Sequence, residues 1–164
     1  MNWTYKEKNM LKLKVFVHPN GKLPTKGKAG DAGIDAYAAL SEPLIANQGE
    51  LVKIPLGISY AFWQNGEVVH DYWLDVRNRS GVGTKSGFVT VAEVGDANYR
   101  GVLHYCAVKT LPGTYPVEQG DKIAQLLINP FIDPHKIEIV QVYSIEELGV
   151  STRGADGFNS SGTK

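Results

Sequence analysis

Hydrophobic and polar residues alternate along the chain in short stretches that are typical of β-strands. The clearest is LKLKVFV at 11–17, where apolar and cationic side chains alternate with the period of a half-buried strand. Other stretches are rich in valine, isoleucine, tyrosine or phenylalanine and are flanked by glycine, proline, asparagine or aspartate. Strands are therefore also predicted at 51–60, 68–76, 88–94, 102–108, 123–132 and 136–143.

Turn signals separate these stretches, and no long helix is predicted. The Asn-Gly pair formed by Asn65 and Gly66 favours a hairpin between Tyr60 and Val68. No stretch keeps a helical period over three turns, although 80–86 and 144–148 can each hold a turn or two. Many short strands joined by regular turns predict an all-β sandwich or barrel.

Composition narrows the function without deciding it. At 164 residues the chain has the length of one domain. Lysine plus arginine and aspartate plus glutamate both number 17, so no overall charge points to nucleic acid or to an anionic membrane. The single cysteine, Cys106, excludes an intrachain disulfide and a multi-cysteine zinc site. It lies in the apolar run 102–108, and we expect it to be buried.

The sequence predicts neither an N-terminal signal peptide nor a membrane span. The first residues, MNWTYKEKNM, are polar and lack the apolar core of a signal peptide. No stretch approaches the roughly 20 apolar residues that span a bilayer. We therefore predict a soluble, cytoplasmic protein that binds neither membrane nor nucleic acid.

The last 15 residues, VSTRGADGFNSSGTK, differ from the rest in composition. They hold three glycines, several hydroxyls and one aromatic residue, and cannot bury a core of their own. A frayed tail is one interpretation. Arg153 and Phe158, placed in so polar a stretch, also fit an arm that orders when it meets a ligand. We predict a β domain over 1–150 and a flexible arm over 151–164.

Two segments combine glycines with charged residues. AGDAGIDAYAA at 29–39 places Asp31 and Asp35 four residues apart, and an ordinary loop leading into a strand is the alternative interpretation. RNRSGVGTK at 77–85 brings an arginine, a hydroxyl and glycines to the end of a predicted strand, where free N–H groups can point at an anion. It is not a Walker A loop, because Thr84 stands where that loop has a glycine.

Two further segments carry candidate chemistry. VAEVGDANYRG at 91–101 puts Asp96 three residues before Tyr99, which predicts a carboxylate and a ring on one tight hairpin. Near phosphates such a carboxylate can orient and deprotonate a water while the ring packs against a sugar. An Asp/Asn turn is the alternative. GDKIAQL at 120–126 is a turn into a buried strand with one polar residue, Gln125, for which a local hydrogen bond is the alternative.

The order of these segments resembles the trimeric dUTPase family, which is marked by five short motifs in a fixed order. AGDAGIDAYAA resembles the first motif, and RSG at 79–81 resembles the second. VGDANYRG at 94–101, GDKIAQL and RGADGFNSSG at 153–162 resemble the other three. The pairing of Asp-x-x-Tyr-x-Gly with Arg-Gly-x-x-Gly-Phe is the most discriminating part of the resemblance.

The resemblance implies a fold, an assembly and a reaction. The fold is a jelly-roll-like β subunit, and the assembly is a homotrimer with three shared active sites. In such enzymes one chain gives the third motif, a second gives the first, second and fourth, and a third lends its C-terminal arm. The reaction is hydrolysis of dUTP to dUMP and pyrophosphate by attack of water on the α-phosphate. It limits uracil incorporation into DNA and supplies dUMP for dTMP synthesis.

The resemblance also implies roles for the catalytic residues. Asp96 orients the attacking water, and Arg79 binds the phosphates. Asp35 and Gln125 order the site and its metal-bound waters. The cofactor is Mg²⁺, held by phosphate oxygens and water with no direct protein ligand, in keeping with its reluctance to shed water.

The substrate-binding roles follow in the same way. Tyr99 packs under the deoxyribose and leaves no room for a 2′-hydroxyl, while the backbone around 90–95 reads the uracil edge. Arg153 meets the γ-phosphate and Phe158 stacks over the uracil, so that the arm closes the site like a lid. The full substrate-binding set is Ser80, Gly81, Thr90, Val94, Gly95, Tyr99, Arg153, Phe158, Asn159 and Ser160.

Four positions depart from the family pattern. Glu93 stands where the hairpin usually has a glycine, and Gly95 stands where it usually has an apolar residue. Asn78 replaces the common proline before the Arg-Ser pair, and Asn159 replaces the glycine after the aromatic residue. None of these changes removes a group that the chemistry needs.

Two other functions fit parts of the sequence. A dCTP deaminase-like enzyme has a related fold, but its zinc-dependent form needs a His/Cys/Cys or three-cysteine site that one cysteine cannot supply. A dUTPase-fold protein recruited for nucleotide binding or regulation is the other alternative. The joint presence of Asp96, Arg153 and Phe158 favours the enzyme over a pure binder.

Overall fold

The computed structural model describes residues 10–151 and divides the chain into two compact units between Asp133 and Pro134. The first unit contains helix α1, Ser80–Ser86, and all strands of the described residues. The strands are β1 Lys12–Val17, β2 Thr25–Lys26, β3 Ile34–Tyr37, β4 Leu44–Asn47, β5 Leu51–Pro55, β6 Ile58–Gln64, β7 Glu67–Val68, β8 Tyr72–Asn78, β9 Phe88–Val91, β10 Val94–Gly95, β11 His104–Lys109, β12 Thr114–Val117 and β13 Lys122–Pro130.

The strands form four antiparallel sheets around one apolar core. The largest sheet has the order β10-β8-β13-β3-β2, and the others are β1-β6-β7, β5-β11-β9 and β12-β4. Side chains from all four sheets meet in one buried cluster, which includes Ala46, Ile54, Phe62, Leu74 and Tyr105. The predicted all-β fold is therefore confirmed. No helix among the described residues is long and apolar enough to cross a membrane.

The predicted strands at 11–17, 102–108 and 123–132 are observed with small shifts, as β1, β11 and β13. Along β11, Tyr105, Ala107 and Lys109 are buried, and the residues between them are only partly buried. Cys106 lies on that second face, so the expectation that it is buried is wrong. Successive residues of a strand point to opposite faces, and a continuous apolar run does not show which face is inside.

The predicted strand at 51–60 is two strands, because the chain changes sheets at Gly57. β5 pairs with β11, whereas β6 pairs with β1. Gly57 has a φ of 62°, and a Cβ added there would lie 2.4 Å from the Cα of Gly21 and 2.6 Å from the Cβ of Ala39. Only glycine fits this backbone and this close approach.

The predicted strand at 88–94 breaks in the same way. Ala92 has a φ of 54°, after which the chain leaves β9 and forms β10 against β8. The expectation that Asp96 and Tyr99 lie on one tight hairpin is therefore wrong. β9 and β11 do pair as a hairpin, with Val91 opposite Cys106, but their long connection contributes a short strand to another sheet.

The hairpin predicted at Asn65 and Gly66 is confirmed, with Gln64 opposite Glu67 and positive φ at both turn residues. The strand predicted at 68–76 begins later than expected. Val68 belongs to β7 of this hairpin, and β8 begins at Tyr72. The helical turn predicted at 80–86 is α1. The short strands β2, β4 and β12 were not predicted, since none is long enough to show an alternation.

In the second unit, the strand predicted at 136–143 is not present. A 3₁₀ turn spans Pro134–Lys136, and another at Glu146–Leu148 falls where a helical turn was predicted. Apolar side chains of this segment point into solvent, with Ile139 94% exposed and Tyr143 86% exposed. A strand needs a neighbour to satisfy its backbone, and the described chain places no strand beside this one.

Candidate active site

A cluster of opposite charges lies where three strands of the largest sheet meet. β13 lies between β3 and β8, which brings Asp35 on β3 near Arg79, the residue after β8. Arg79 Nε donates to Asp35 Oδ1 at 2.8 Å, and Lys122 Nζ, at the start of β13, lies 2.9 Å from Asp35 Oδ2. Both carboxylate oxygens are thus paired with a cation. The structure brings two predicted catalytic residues, Asp35 and Arg79, into direct contact.

Gln125, the third predicted catalytic residue of this region, lies beside the cluster. It is directly opposite Asp35 in the β3–β13 register, and its Nε2 donates to the carbonyl of Asn78 at 2.8 Å. The local hydrogen bond that the sequence left as an alternative is therefore present. Gly33 makes room for this side chain, since a Cβ there would lie 2.3 Å from Gln125 Oε1.

Asn78, which departs from the family pattern, holds the turn before Arg79. Its Nδ2 donates to the carbonyl of Phe88 at 2.6 Å, and its Oδ1 accepts a hydrogen bond from the Tyr105 hydroxyl. The amide side chain ties β8 to the neighbouring sheet. The backbone just before Arg79 is therefore held in place, which helps to position the Arg79 side chain against Asp35.

A cavity of about 270 Å³ opens beside this cluster and carries mostly positive charge. Its lining holds three cations, Arg79, Lys85 and Lys122, and one acid, Asp121; Arg79 and Lys122 also pair with Asp35. The remaining lining residues are Gly81, Val82, Tyr115 and Ile123. Such a concentration of cations suits a polyphosphate. The sequence did not mark Lys85 or Lys122 as site residues, although both lie inside quoted segments.

Ser80 and Gly81 begin α1 at the edge of this cavity. Both are exposed, and a Cβ added to Gly81 would meet nothing within 4 Å. The first N–H groups of a helix have no acceptor inside the helix. Arg79, Ser80 and Gly81 therefore present cationic and N–H donors on the same side of the fold as Asp35.

The segment 90–95, predicted as a hairpin, holds the unexpected acid Glu93 through contacts with its own residues and with β8. Glu93 Oε1 accepts a hydrogen bond from the Thr90 hydroxyl at 2.5 Å and pairs with Arg77 Nη1 at 3.0 Å. Arg77 Nε also lies 2.7 Å from Asp75 Oδ1, although that buried oxygen lacks the angle of a hydrogen bond. Glu93 and Asp75 thus share the single cation Arg77 of β8. The next residue, Val94, exposes its apolar side chain to solvent.

Asp96 and Tyr99 form a compact turn after β10. The Tyr99 N–H donates to the Asp96 carbonyl at 3.1 Å, and the Tyr99 hydroxyl donates to the Val102 carbonyl at 3.2 Å. Gly101 lets the ring lie close, because a Cβ there would be 2.3 Å from the Tyr99 hydroxyl oxygen. Asp96 itself is exposed. The turn offers a carboxylate and a fixed ring to solvent.

The predicted site residues fall into two groups in one chain. The first is the Asp35 cluster, and the second is the Asp96 turn with the segment 90–95 that precedes it. The hydrogen bonds and ion pairs that join Asp35, Arg79, Lys122 and Gln125 do not include Asp96. Four further predicted residues, Arg153, Phe158, Asn159 and Ser160, lie outside the described residues.

The described residues contain no group of three or more His, Cys, Asp or Glu side chains that can hold a metal ion. Both oxygens of Asp35 already pair with cations, so direct ligation requires the loss of an ion pair.

A protein-family model described as dUTPase matches residues 19–162. The chain belongs to the dUTPase family. The deoxyuridine 5'-triphosphate nucleotidohydrolase of Candida albicans is 35% identical over 151 residues, covering 92% of this chain and 87% of that protein. The Chlamydia trachomatis protein of the same name is 35% identical over 155 residues, covering 92% and 99%.

Solved dUTPase structures share the fold. The dUTPase of Staphylococcus bacteriophage 80alpha with dUpNHpp superposes with a TM-score of 0.74 at 27% identity, covering 94% of this chain and 99% of that one. A phage phi11 dUTPase variant, described with a structural Mg(II) ion, gives 0.67 at 24% identity, with 84% and 99% coverage, a likeness of fold alone. The family resemblance, the jelly-roll-like fold and the assignment to an enzyme family are confirmed.

Proposed function

We propose that this dUTPase hydrolyses dUTP to dUMP and pyrophosphate by attack of water on the α-phosphate. The observation that carries the proposal is the cationic cavity at Arg79, Lys85 and Lys122, in a chain that also presents the exposed Asp96 carboxylate on a braced turn. The reaction limits uracil incorporation into DNA and supplies dUMP for dTMP synthesis.

The phosphates bind at the Asp35 cluster. Arg79 and the N–H groups of Ser80 and Gly81 hold them, because a charged donor beside backbone donors binds an anion more strongly than neutral groups do. Asp35 fixes Arg79 through the 2.8 Å ion pair. Asp35 and Gln125 would also order the waters of a bound Mg²⁺, whose positive charge would offset the negative charge of the triphosphate.

The base and sugar bind at the second group. β10 is the edge strand of the largest sheet, so one side of its Val94 and Gly95 backbone faces away from β8. An edge presents unpaired N–H and C=O groups, which can read uracil. Asp96 orients the attacking water as general base. Tyr99 packs against the deoxyribose at the position where a ribose carries its 2′-hydroxyl.

We also propose a homotrimer in which each site combines both groups from different chains. The support is the second unit, where Ile139, Tyr143 and Ile145 expose apolar side chains that a monomer leaves in water. The division of the site residues into two groups fits the same assembly. The arm at 151–164, with Arg153 and Phe158, closes the site. The boundary between the β domain (1–150) and the arm (151–164) stays a prediction, as does the cytoplasmic location of the protein.

Pyrophosphate release from each of the four dNTPs, dUTP and UTP, with and without Mg²⁺, tests the proposal. Release from dUTP alone, dependent on Mg²⁺, is the expected result. Ammonia release from dCTP would instead support the deaminase-like alternative. Tight dUTP binding with no turnover in either assay would support the regulatory alternative and contradict hydrolysis.

A further inference from the structure

Tyr60 links the core to the catalytic turn, although it lies in none of the dUTPase motifs. It is on β6, is only 2% exposed, and packs edge-on against Phe62 with ring centroids 5.7 Å apart. Its hydroxyl donates to the backbone carbonyl of Asp96 at 2.8 Å, across 36 positions of sequence. A buried phenol normally finds such a partner. This partner belongs to the proposed general base.

Gly95 makes this contact possible. A Cβ added to Gly95 would lie 2.7 Å from the Tyr60 hydroxyl oxygen and 3.2 Å from the carbonyl oxygen of Leu74. Gly95 is also buried and pairs with Leu74 in the β8–β10 ladder. The hydroxyl of Tyr60 therefore occupies the space that a side chain at 95 would need.

The Asp96 carbonyl accepts two hydrogen bonds, one from Tyr60 and one from the Tyr99 N–H at 3.1 Å. The first fixes the turn to the core, and the second closes the turn itself. We propose that Tyr60 is a positioning residue that holds the Asp96–Tyr99 turn in its catalytic geometry. This inference rests on the proposed function, because it assigns Tyr60 a part in the same reaction.

The Tyr60 hydroxyl keeps its proton more strongly than an exposed tyrosine does. Burial raises the pKa of Tyr60, and the negative charge of Asp96 raises it further. The phenol therefore stays protonated, and able to donate, at neutral and moderately alkaline pH. The hydrogen bond from Tyr60 to the Asp96 carbonyl is therefore not lost by titration at neutral pH.

Tyr60→Phe tests the anchor by removing one oxygen atom. We expect kcat for dUTP to fall about tenfold, because small displacements of catalytic groups slow chemistry steeply. KM should change less than about twofold, since no substrate contact is lost. The control is Tyr72→Phe, which removes a hydroxyl from a ring packed on the same Phe62 and should leave kcat unchanged. An unchanged kcat in Tyr60→Phe overturns the proposal.

Hydrogen exchange separates this proposal from the proposed function. In Tyr60→Phe, the amide of Tyr99 should exchange faster than in wild type, whereas amides of β1 and β6 should not change. Faster exchange confined to this turn supports the anchor whether or not dUTP is a substrate. Exchange as slow as in wild type overturns it. Wild-type protein that fails to hydrolyse dUTP contradicts the proposed function on its own.

A double-mutant cycle supplies a rescue test. Gly95→Ala alone should destabilise the fold and lower kcat, because the new methyl collides with the Tyr60 hydroxyl. Adding Tyr60→Phe relieves that collision, so the double variant should regain thermal stability relative to Gly95→Ala. Its kcat should not exceed that of Tyr60→Phe, because the anchoring hydroxyl is absent from both. Additive losses of stability would show that the two residues are not coupled and would overturn the contact on which the proposal stands.

Discussion

Arg79 and Asp35 are joined by a 2.8 Å ion pair that spans the full width of β13. Asp35 lies on β3 and Arg79 follows β8, so neither strand alone determines their distance. The strand between them, β13, contributes Lys122 to the second oxygen of the same carboxylate. Three strands are thus needed to build one anion-binding cluster.

The first prediction concerns pH. Burial raises the pKa of Asp35, but the Lys122 hydrogen bond and the charges of Arg79 and Lys122 outweigh it, so that the pKa lies below 3.8. Between the folded pKa and 3.8, the unfolded chain binds a proton that the folded chain does not. This contribution to stability is therefore present above 3.8 and is lost as pH falls through the folded pKa.

Asp35→Asn should consequently unfold at lower urea than wild type at neutral pH, and the gap should narrow as acid protonates wild-type Asp35. Urea titrations across the acid range measure this gap. Glu42→Gln, a change at an exposed acid outside the cluster, is the matched control and should show no such narrowing. A gap independent of pH would mean that the ion pairs of Asp35 do not stabilise the fold.

The second prediction concerns the general base. Asp96→Asn should bind a non-hydrolysable dUTP analogue nearly normally while its kcat falls by roughly 10² to 10⁴. The amide keeps the size of the side chain but cannot accept the proton of water. Asp71→Asn, at another exposed acid, should keep full turnover. Turnover near wild type in Asp96→Asn would remove Asp96 from the mechanism.

The third prediction concerns the sugar. Wild-type enzyme should use UTP at least about 10² less efficiently than dUTP, as kcat/KM, because a fixed Tyr99 ring collides with the added hydroxyl. Gly101→Ala should weaken this discrimination, since its methyl would lie 2.3 Å from the Tyr99 hydroxyl oxygen and displace the ring. Gly49→Ala, where a Cβ meets nothing but φ is 80°, is a control for loss of stability: it should destabilise the fold and leave the discrimination unchanged. Equal use of UTP and dUTP by wild type would contradict the role of Tyr99.

The fourth prediction concerns the arm. Deleting 151–164 should leave the trimer intact and lower kcat sharply, with a smaller effect on nucleotide binding. In the proposed mechanism, stacking of Phe158 on the uracil would contribute roughly 1–3 kcal/mol, and Arg153 would add charge-assisted hydrogen bonds to phosphate. Size-exclusion chromatography and steady-state kinetics compare the two proteins. Full activity after deletion would leave these residues without a catalytic role.

The sequence predicted strands well where their alternation and their partners both lie in the described chain, as for β1 and β13. It failed where the chain changes sheets, because the apolar pattern continues through Gly57 and Ala92 while the backbone turns. It also failed at 136–143, where the alternation is present but no neighbouring strand is. Strand pattern is local, whereas strand partnership is a property of the whole fold.

The site shows the same limit. Motif residues such as Asp35, Arg79 and Gln125 were found because they stand out beside glycines or inside an apolar strand, and the structure brings these three together. Tyr60 was missed, since a tyrosine in an apolar strand is indistinguishable from core and its hydroxyl bonds to a carbonyl 36 residues away. Lys85 and Lys122 were missed because surface lysines are common.

Two variants that are each impaired in a different part of the proposed site should restore activity when they are combined. Suppose that each site takes the Asp35 cluster from one chain and the Asp96 turn from another. A site is then intact whenever the first chain carries only the Asp96 substitution and the second carries only the Asp35 substitution. Co-refolding equal amounts of Asp35→Asn and Asp96→Asn should then restore about one quarter of the wild-type sites, the product of two independent halves. Two alleles that each encode an impaired chain could therefore support a cell together. Conversely, a chain substituted in either group would also inactivate sites that it shares with wild-type chains.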